Sequence, residues 1–371
     1  MTGATNRLAN PAPLVTLAGG EALRSLEPVP PAQSRARVSD WAELLRVPAL
    51  FTLPGDALAG AAASGARPRA RTLLAITSSL CLYEAGMALN DWADRHVDAV
   101  ERPHRPLPSG RITPVAALTA ATGLTAAGLG LAALAGRRAL TVAGALAGTV
   151  WAYDVALKNT PAAPLTMAVA RSLDLLLGAV VTTGRIRPAL PSAALLGAHT
   201  CSVTAVSRRE AEGGSPFAPS AGLAVTAVLF RTLVHDRTPG AGTGPRGAER
   251  RPSDGLGAEP GRRDAAAPRG PDGLTAGRAI TTALGPPGPS AATSLRAVLG
   301  AAYARTAAQP LFHAALNPSP QLTQRAVGGG IRAMIPLQAA LAARSGRPGV
   351  ALLTAALVPF ARSFARKVSI T

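Results

Sequence analysis

The densest group of chemically capable residues reads Asn90-Asp91-Trp92-Ala93-Asp94-Arg95-His96-Val97-Asp98. It is followed by Glu101-Arg102-Pro103-His104-Arg105-Pro106-Leu107-Pro108-Ser109-Gly110-Arg111. Asp91, Asp94 and Asp98 stand at i, i+3 and i+7. On a helix this puts three carboxylates on one face, within about 60°. Carboxylates so placed repel one another, and at a helix C-terminus the macrodipole opposes them too. Local stability does not account for them; a bound cation does. Oxygen donors with Asn90 adjoining and no cysteine nearby suit Mg²⁺, which bridges carboxylates to substrate phosphates. The bland alternative is a solvated polar cap with Arg95, Arg102 and Arg105 as ion-pair partners. Such a cap does not need this spacing, nor the Pro-Leu-Pro-Ser-Gly turn that follows. Arg102, Arg105 and Arg111 lie just past the carboxylates, where a diphosphate bridged by Mg²⁺ meets guanidinium forks.

Apolar helices must position this cluster. The chain has 371 residues, 48% hydrophobic, only 16% charged and 3% aromatic, with mean hydropathy +0.22. Soluble domains carry about 25% charged residues, so a polytopic membrane protein is the expected class. Apolar segments near the ~20 residues that cross a bilayer recur at 41–63, 70–92, 113–135, 138–157, 163–183, 190–207, 218–235, 292–314, 319–343 and 347–366. Arg296 and Arg305 fall within 292–314, so nine or ten helices are expected. Asp40 and Glu43 resemble a capping box, which starts the first helix near Trp41. Residues 1–40 read as a flexible tail without a signal peptide. Residues 41–235 carry membrane helices and the acidic motifs. Residues 236–290, rich in Gly, Pro, Arg, Ser and Asp with no apolar period, read as a disordered loop insertion, and 291–371 as C-terminal membrane helices. Arginine flanks almost every segment on both sides, so positive charge does not orient the chain.

The 90–111 stretch resembles the first aspartate-rich motif, NDxxDxxxD followed by RPxRPLPSGRI, of the UbiA superfamily of intramembrane prenyltransferases. Tyr153-Asp-Val-Ala-Leu-Lys158 resembles that family's Tyr…Lys motif, with a spacing one residue longer than its commonest form. Arg208-Arg209-Glu210-Ala-Glu212 falls where the family has a second acidic motif, here with glutamates two apart. LPGDALAG at 53–60, PLTMAVARSLDLLLGA at 164–179 and NPSPQLTQRAVGGGIRAMIPL at 317–337 look like the EboC-type, actinobacterial branch.

The resemblance implies an all-α bundle of about nine transmembrane helices in the cytoplasmic membrane. It implies Mg²⁺-dependent transfer of a prenyl group from an isoprenyl diphosphate to a lipophilic or aromatic acceptor, among membrane lipids. Carried over by position, Asn90, Asp91, Asp94 and Asp98 hold Mg²⁺ and diphosphate, with Glu210 and Arg209 from the second motif. Lys158 and Arg105 contact diphosphate oxygens, and Tyr153 shapes the reaction pocket or supports the diphosphate.

Other polar residues lie within apolar segments, where a charge is costly and usually functional or paired. Asp56 follows Pro54-Gly55 and reads either as pocket lining or as a hydrogen bond at a helix break. Glu84, two turns before Asp91 on a similar face, reads as a cation or acceptor-hydroxyl ligand, or as half of a buried pair. Arg171 and Asp174, at i and i+3, either neutralise each other or contact substrate.

The five histidines show no zinc spacing, and Walker and GxSxG motifs are absent. Cys81 and Cys201 sit in apolar surroundings and make no disulfide framework. The net charge of +18 is scattered and nearly all arginine, without the aromatics of a nucleic-acid surface, so no nucleic-acid partner is expected. Two rival readings are a non-catalytic transporter or lipid-binding scaffold on the same fold, and a CDP-alcohol phosphotransferase, whose long aspartate pattern is missing.

Overall fold

The structure, a computed structural model, describes residues 36–46, 52–208, 215–235 and 289–359. Every regular element among them is helical. In order these are α1 (Val38–Leu44), α2 (Leu53–Ala63), α3 (Ala70–Glu101), α4 (Pro114–Ala135), α5 (Arg137–Ala152), α6 (Ala163–Thr183), α7 (Leu190–Ser207), α8 (Phe217–Val234), α9 (Pro289–Leu316), α10 (Pro320–Arg344) and α11 (Pro348–Ala355). A π-helical turn, Tyr153–Leu157, continues α5, and a 3₁₀ turn, Arg187–Ala189, leads into α7.

The helices start and stop where local chemistry dictates. Thr113 caps α4, its hydroxyl accepting from the Ala116 N–H at 3.2 Å, with Pro114 at the first helical position. Ser319 caps α10 in the same way. Its hydroxyl accepts from the Leu322 N–H at 3.3 Å, and Pro320 follows it. Gly184 ends α6 in the left-handed region, at φ 71°, where a side chain would be strained.

Seven helices among the described residues are long and apolar enough to cross a membrane: α3, α4, α5 with its π turn, α6, the 3₁₀ turn with α7, α8 and α10. The protein is therefore a multi-pass membrane protein. The fold is the expected all-α bundle, and the expected span 41–63 is corrected. It divides into α1 and α2, because Arg46 takes a left-handed φ of 48° just past α1. At 11 residues, α2 is about 16 Å long and does not cross a bilayer alone. Helix α1 also begins earlier than expected. Arg37 is its N-cap, and Asp40 accepts the Arg37 N–H at 2.8 Å. Helix α9 is continuous over 28 residues. The expected tail over 1–35, most of the expected insertion at 236–290 and the end of the 347–366 segment lie outside the described residues.

Helix α4 shows how the bundle meets lipid. Its buried residues are Ala117, Ala121, Gly128 and Ala132, one narrow stripe. Val115 and Leu134 are exposed, as apolar side chains facing acyl chains should be. Between helices in lipid, close packing of small residues replaces the hydrophobic drive. A Cβ on Gly178 of α6 would overlap the backbone of Ala57 in α2, and one on Gly60 would overlap Leu175. These two reciprocal contacts seat α2 against α6. Because successive helices run antiparallel, one end of the bundle collects the C-terminus of α3, the N-terminus of α4 and the π turn.

Candidate active site

The last three turns of α3 carry Asn90, Asp91, Asp94 and Asp98 on the face their spacing predicts. Each carboxylate meets a cation. Asp91 Oδ1 lies 3.1 Å from Arg46 and 3.7 Å from Arg105. Asp98 lies 2.7 Å from Arg105 and 3.4 Å from Arg102. Asp94 Oδ1 lies 2.6 Å from Lys158 Nζ. Asp91 and Asp98 are buried. Asn90 donates to Asp154 at 3.2 Å, which brings a further carboxylate to the cluster.

The loop after α3 explains how Arg105 arrives there. Leu107 and Ile112 are buried with Leu44, Leu89, Ala117 and Ala121. They pin the Pro-Leu-Pro-Ser-Gly turn at both ends and fold Arg105 back over Asp98. Gly110 closes the turn at φ 74°. Arg111 goes elsewhere. It donates to Asp40 at 2.7 Å, to Glu43 at 2.8 Å and to the His104 carbonyl at 2.7 Å. It thus clamps α1 to the loop, away from the carboxylates of α3. The Arg37 N–H, helped by Arg111, holds the Asp40 carboxyl below its usual range.

The π turn carries Tyr153 and Lys158. The Lys158 N–H bonds the Tyr153 carbonyl five residues back, at 2.8 Å. A π turn holds one residue more than an α turn. Lys158 therefore stands one turn beyond Tyr153 despite the extra residue between them. Tyr153 is half-buried.

A second polar layer lies deeper. Ser79, on α3 with Asp91 twelve residues further on, is about 18 Å below it along the helix axis. Ser79 donates to Asp174 at 2.5 Å. Arg171 reaches Asp56 at 2.7 Å and Asp174 at 3.9 Å, so its closer partner is Asp56 rather than its i+3 neighbour. Gln338 of α10 donates to Asp56 at 2.6 Å and to the Thr52 carbonyl at 2.8 Å. Glu84 is buried, and neither of its carboxylate oxygens has a hydrogen-bond partner among the described residues. Arg209 and Glu210 lie outside the described residues.

Sequence reasoning missed Arg46, Asp154 and Gln338. Asp154 stands inside the Tyr–Lys motif and was legible there. Arg46 and Gln338 are distant in sequence from their partners and give no local signal.

The donor set fits Mg²⁺ in chemistry, being all oxygen. Among the described residues no three acidic or histidine side chains converge on one point. A metal held by one or two carboxylates, with phosphate and water completing its shell, is the usual Mg²⁺ arrangement.

Residues 49–230 match the UbiA prenyltransferase family model. Digeranylgeranylglyceryl phosphate synthase of Methanopyrus kandleri is 39% identical over 98 residues, 26% of this chain and 36% of that protein. The protein of the same name from Methanothrix thermoacetophila is 38% identical over 124 residues, 33% of this chain and 46% of that protein. The chain thus spans less than half the length of these curated relatives. A solved structure described as digeranylgeranylglyceryl phosphate synthase superposes with TM-score 0.52 at 15% identity, covering 83% of this chain and 98% of that one, a likeness of fold. Segment 49–230, just under half of the chain, is thus similar to the UbiA prenyltransferase family.

Proposed function

We propose that the protein transfers a prenyl group from an isoprenyl diphosphate to a lipophilic or aromatic acceptor, with Mg²⁺, in the cytoplasmic membrane. The observation that carries this reading is the alternation of Asp91, Asp94 and Asp98 with Arg46, Arg105 and Lys158 at the mouth of an apolar bundle. Each ion pair joins two groups that a metal diphosphate satisfies separately. Asn90, Asp91, Asp94 and Asp98 would hold the metal, and Glu210 of the second motif would assist. Bound Mg²⁺ supplies positive charge that stabilises the departing diphosphate.

The chain's own cations do the rest at that end. Arg46, Arg105 and Lys158 turn from carboxylates to diphosphate oxygens, with Arg102 at the rim, and Arg209 of the second motif would add a further guanidinium. Tyr153 shapes the pocket beneath. The apolar helices exclude water from the allylic cation left when the carbon–oxygen bond breaks. Glu84 and the Asp56, Arg171 and Asp174 layer face the acceptor side of the reaction. The stretches at 53–60, 164–179 and 317–337 support an EboC-like branch.

The test is diphosphate release by the purified protein in nanodiscs containing membrane-lipid extract. Geranyl, farnesyl and geranylgeranyl diphosphates are offered with Mg²⁺ or EDTA. Mg²⁺-dependent release that disappears in folded Asp91→Asn is the expected result. Folded protein that releases no diphosphate from any donor overturns the proposal and favours a lipid-binding scaffold.

A further inference from the structure

The end of the bundle opposite Asp91 holds a cavity of about 700 Å³ lined by Arg67, Arg69, Arg71, Arg185 and Arg347. Val180, Val181 and Thr182 of α6 also line it. The fully described connections there, 64–69, 136–138, 184–189 and 345–347, contain no Asp or Glu; the α8–α9 connection, which leaves from the same end, lies outside the described residues. Every described carboxylate lies at the other end or inside the bundle.

Helix capping explains part of this arginine set. Arg71 donates to the Ala135 carbonyl at the end of α4 at 2.7 Å, and Arg347 donates to the Gly65 carbonyl just past α2. Carbonyls at helix C-termini attract such cations. The guanidiniums of Arg67, Arg69 and Arg185 have no such role. They line the cavity with no hydrogen-bond or ion-pair partner among the described residues. Five guanidiniums around one space repel one another, and an anion there relieves the repulsion. Planar forks match phosphate oxygens. The cavity lies at the bundle's end, among the ends of α4 and α6 and the connections beside them.

We infer that this cavity binds the phosphate headgroup of an anionic phospholipid, in the leaflet opposite the Asp91 cluster. The lipid source is favoured over free phosphate because α4 ends at the cavity, with Ala135 in its lining and Leu134 exposed beside it. Acyl chains can pack on Leu134 while the headgroup takes the charge.

The experiment uses the full chain, delipidated in detergent, and native mass spectrometry with phosphatidylglycerol or phosphatidylcholine. Arg69→Gln/Arg185→Gln is compared with Arg137→Gln, which lies at the same end outside the cavity lining. Each arginine near a membrane surface contributes about fivefold in binding, so the paired variant should hold phosphatidylglycerol about 25-fold more weakly. Arg137→Gln should bind as wild type, and phosphatidylcholine should bind weakly throughout. Equal binding of the two lipids overturns the inference, as does full phosphatidylglycerol binding by the paired variant. Inorganic phosphate that raises the melting temperature through Arg69 and Arg185, without any phosphatidylglycerol preference, assigns the cavity to a free anion and also overturns it.

Discussion

Lys158 Nζ lies 2.6 Å from Asp94 Oδ1, the shortest ion pair at the mouth among the described residues. Asp94 lies on α3, whereas Lys158 directly follows the π turn that continues α5. On the proposed function, replacing Lys158 by Met removes a donor to the diphosphate. Loss of one such preorganised donor typically costs about 10² to 10³ in turnover. Diphosphate release should fall by that order, and Lys158→Arg should recover part of it. Unchanged release in folded Lys158→Met removes the residue from the proposed machinery.

The π turn itself makes a prediction. Its i to i−5 hydrogen bond absorbs one residue between Tyr153 and Lys158. Deleting Ala156 should convert the turn to regular α-helix and leave the lysine one turn beyond the tyrosine. Release should stay within a few-fold of wild type. A loss as deep as that of Lys158→Met shows that the π geometry, rather than the one-turn separation, is required.

Asp91→Asn tests the carboxylate face. Asp91 is buried between Arg46 and Arg105, so the neutral amide also leaves those cations less well paired. The Mg²⁺ concentration for half-maximal release should rise at least about tenfold, the lower range for losing even an outer-shell partner of a metal. A Mg²⁺ titration that superposes on wild type removes Asp91 from the metal set.

The helical class and the carboxylate face were legible because both are local: one in composition, the other in i, i+3, i+7 spacing. The break in 41–63 was not, because Arg46 leaves the helical region while reaching a partner 45 residues away. Arg111 misled for the same reason. Its position in the loop suggested diphosphate, but Asp40 and Glu43 on α1 are nearer partners that only the fold brings in. Gln338 meets Asp56 across 282 residues, a pairing no window of sequence contains.

The Arg111 clamp should respond to acid. The folded Asp40 carboxyl titrates below its unfolded value. Its contribution is therefore present above the unfolded pKa, near 3.9, and is lost as pH falls through the lower folded one. The protection factors of the α1 amides, which are free of the intrinsic pH dependence of exchange, should fall below about pH 4. Asp40→Asn should lower those protection factors at neutral pH and leave them nearly independent of pH. Equal exchange in both proteins at pH 6 shows that the clamp does not hold α1.

The deep layer should behave as a coupled unit. Arg171 is the cation between Asp56 and Asp174, and Asp56 is fully buried. Removing one partner of a buried ion pair typically costs about 3 to 5 kcal/mol, because the remaining charge is stranded. Arg171→Met should therefore lower the melting temperature in detergent sharply. Neutralising the carboxyls as well, in Asp56→Asn/Arg171→Met/Asp174→Asn, should recover most of that loss, since no charge is then left alone. If the triple variant is as unstable as Arg171→Met, the loss comes from packing of the arginine stem and not from the charges. If the triple variant is stable but releases no diphosphate, the layer serves the reaction rather than the fold.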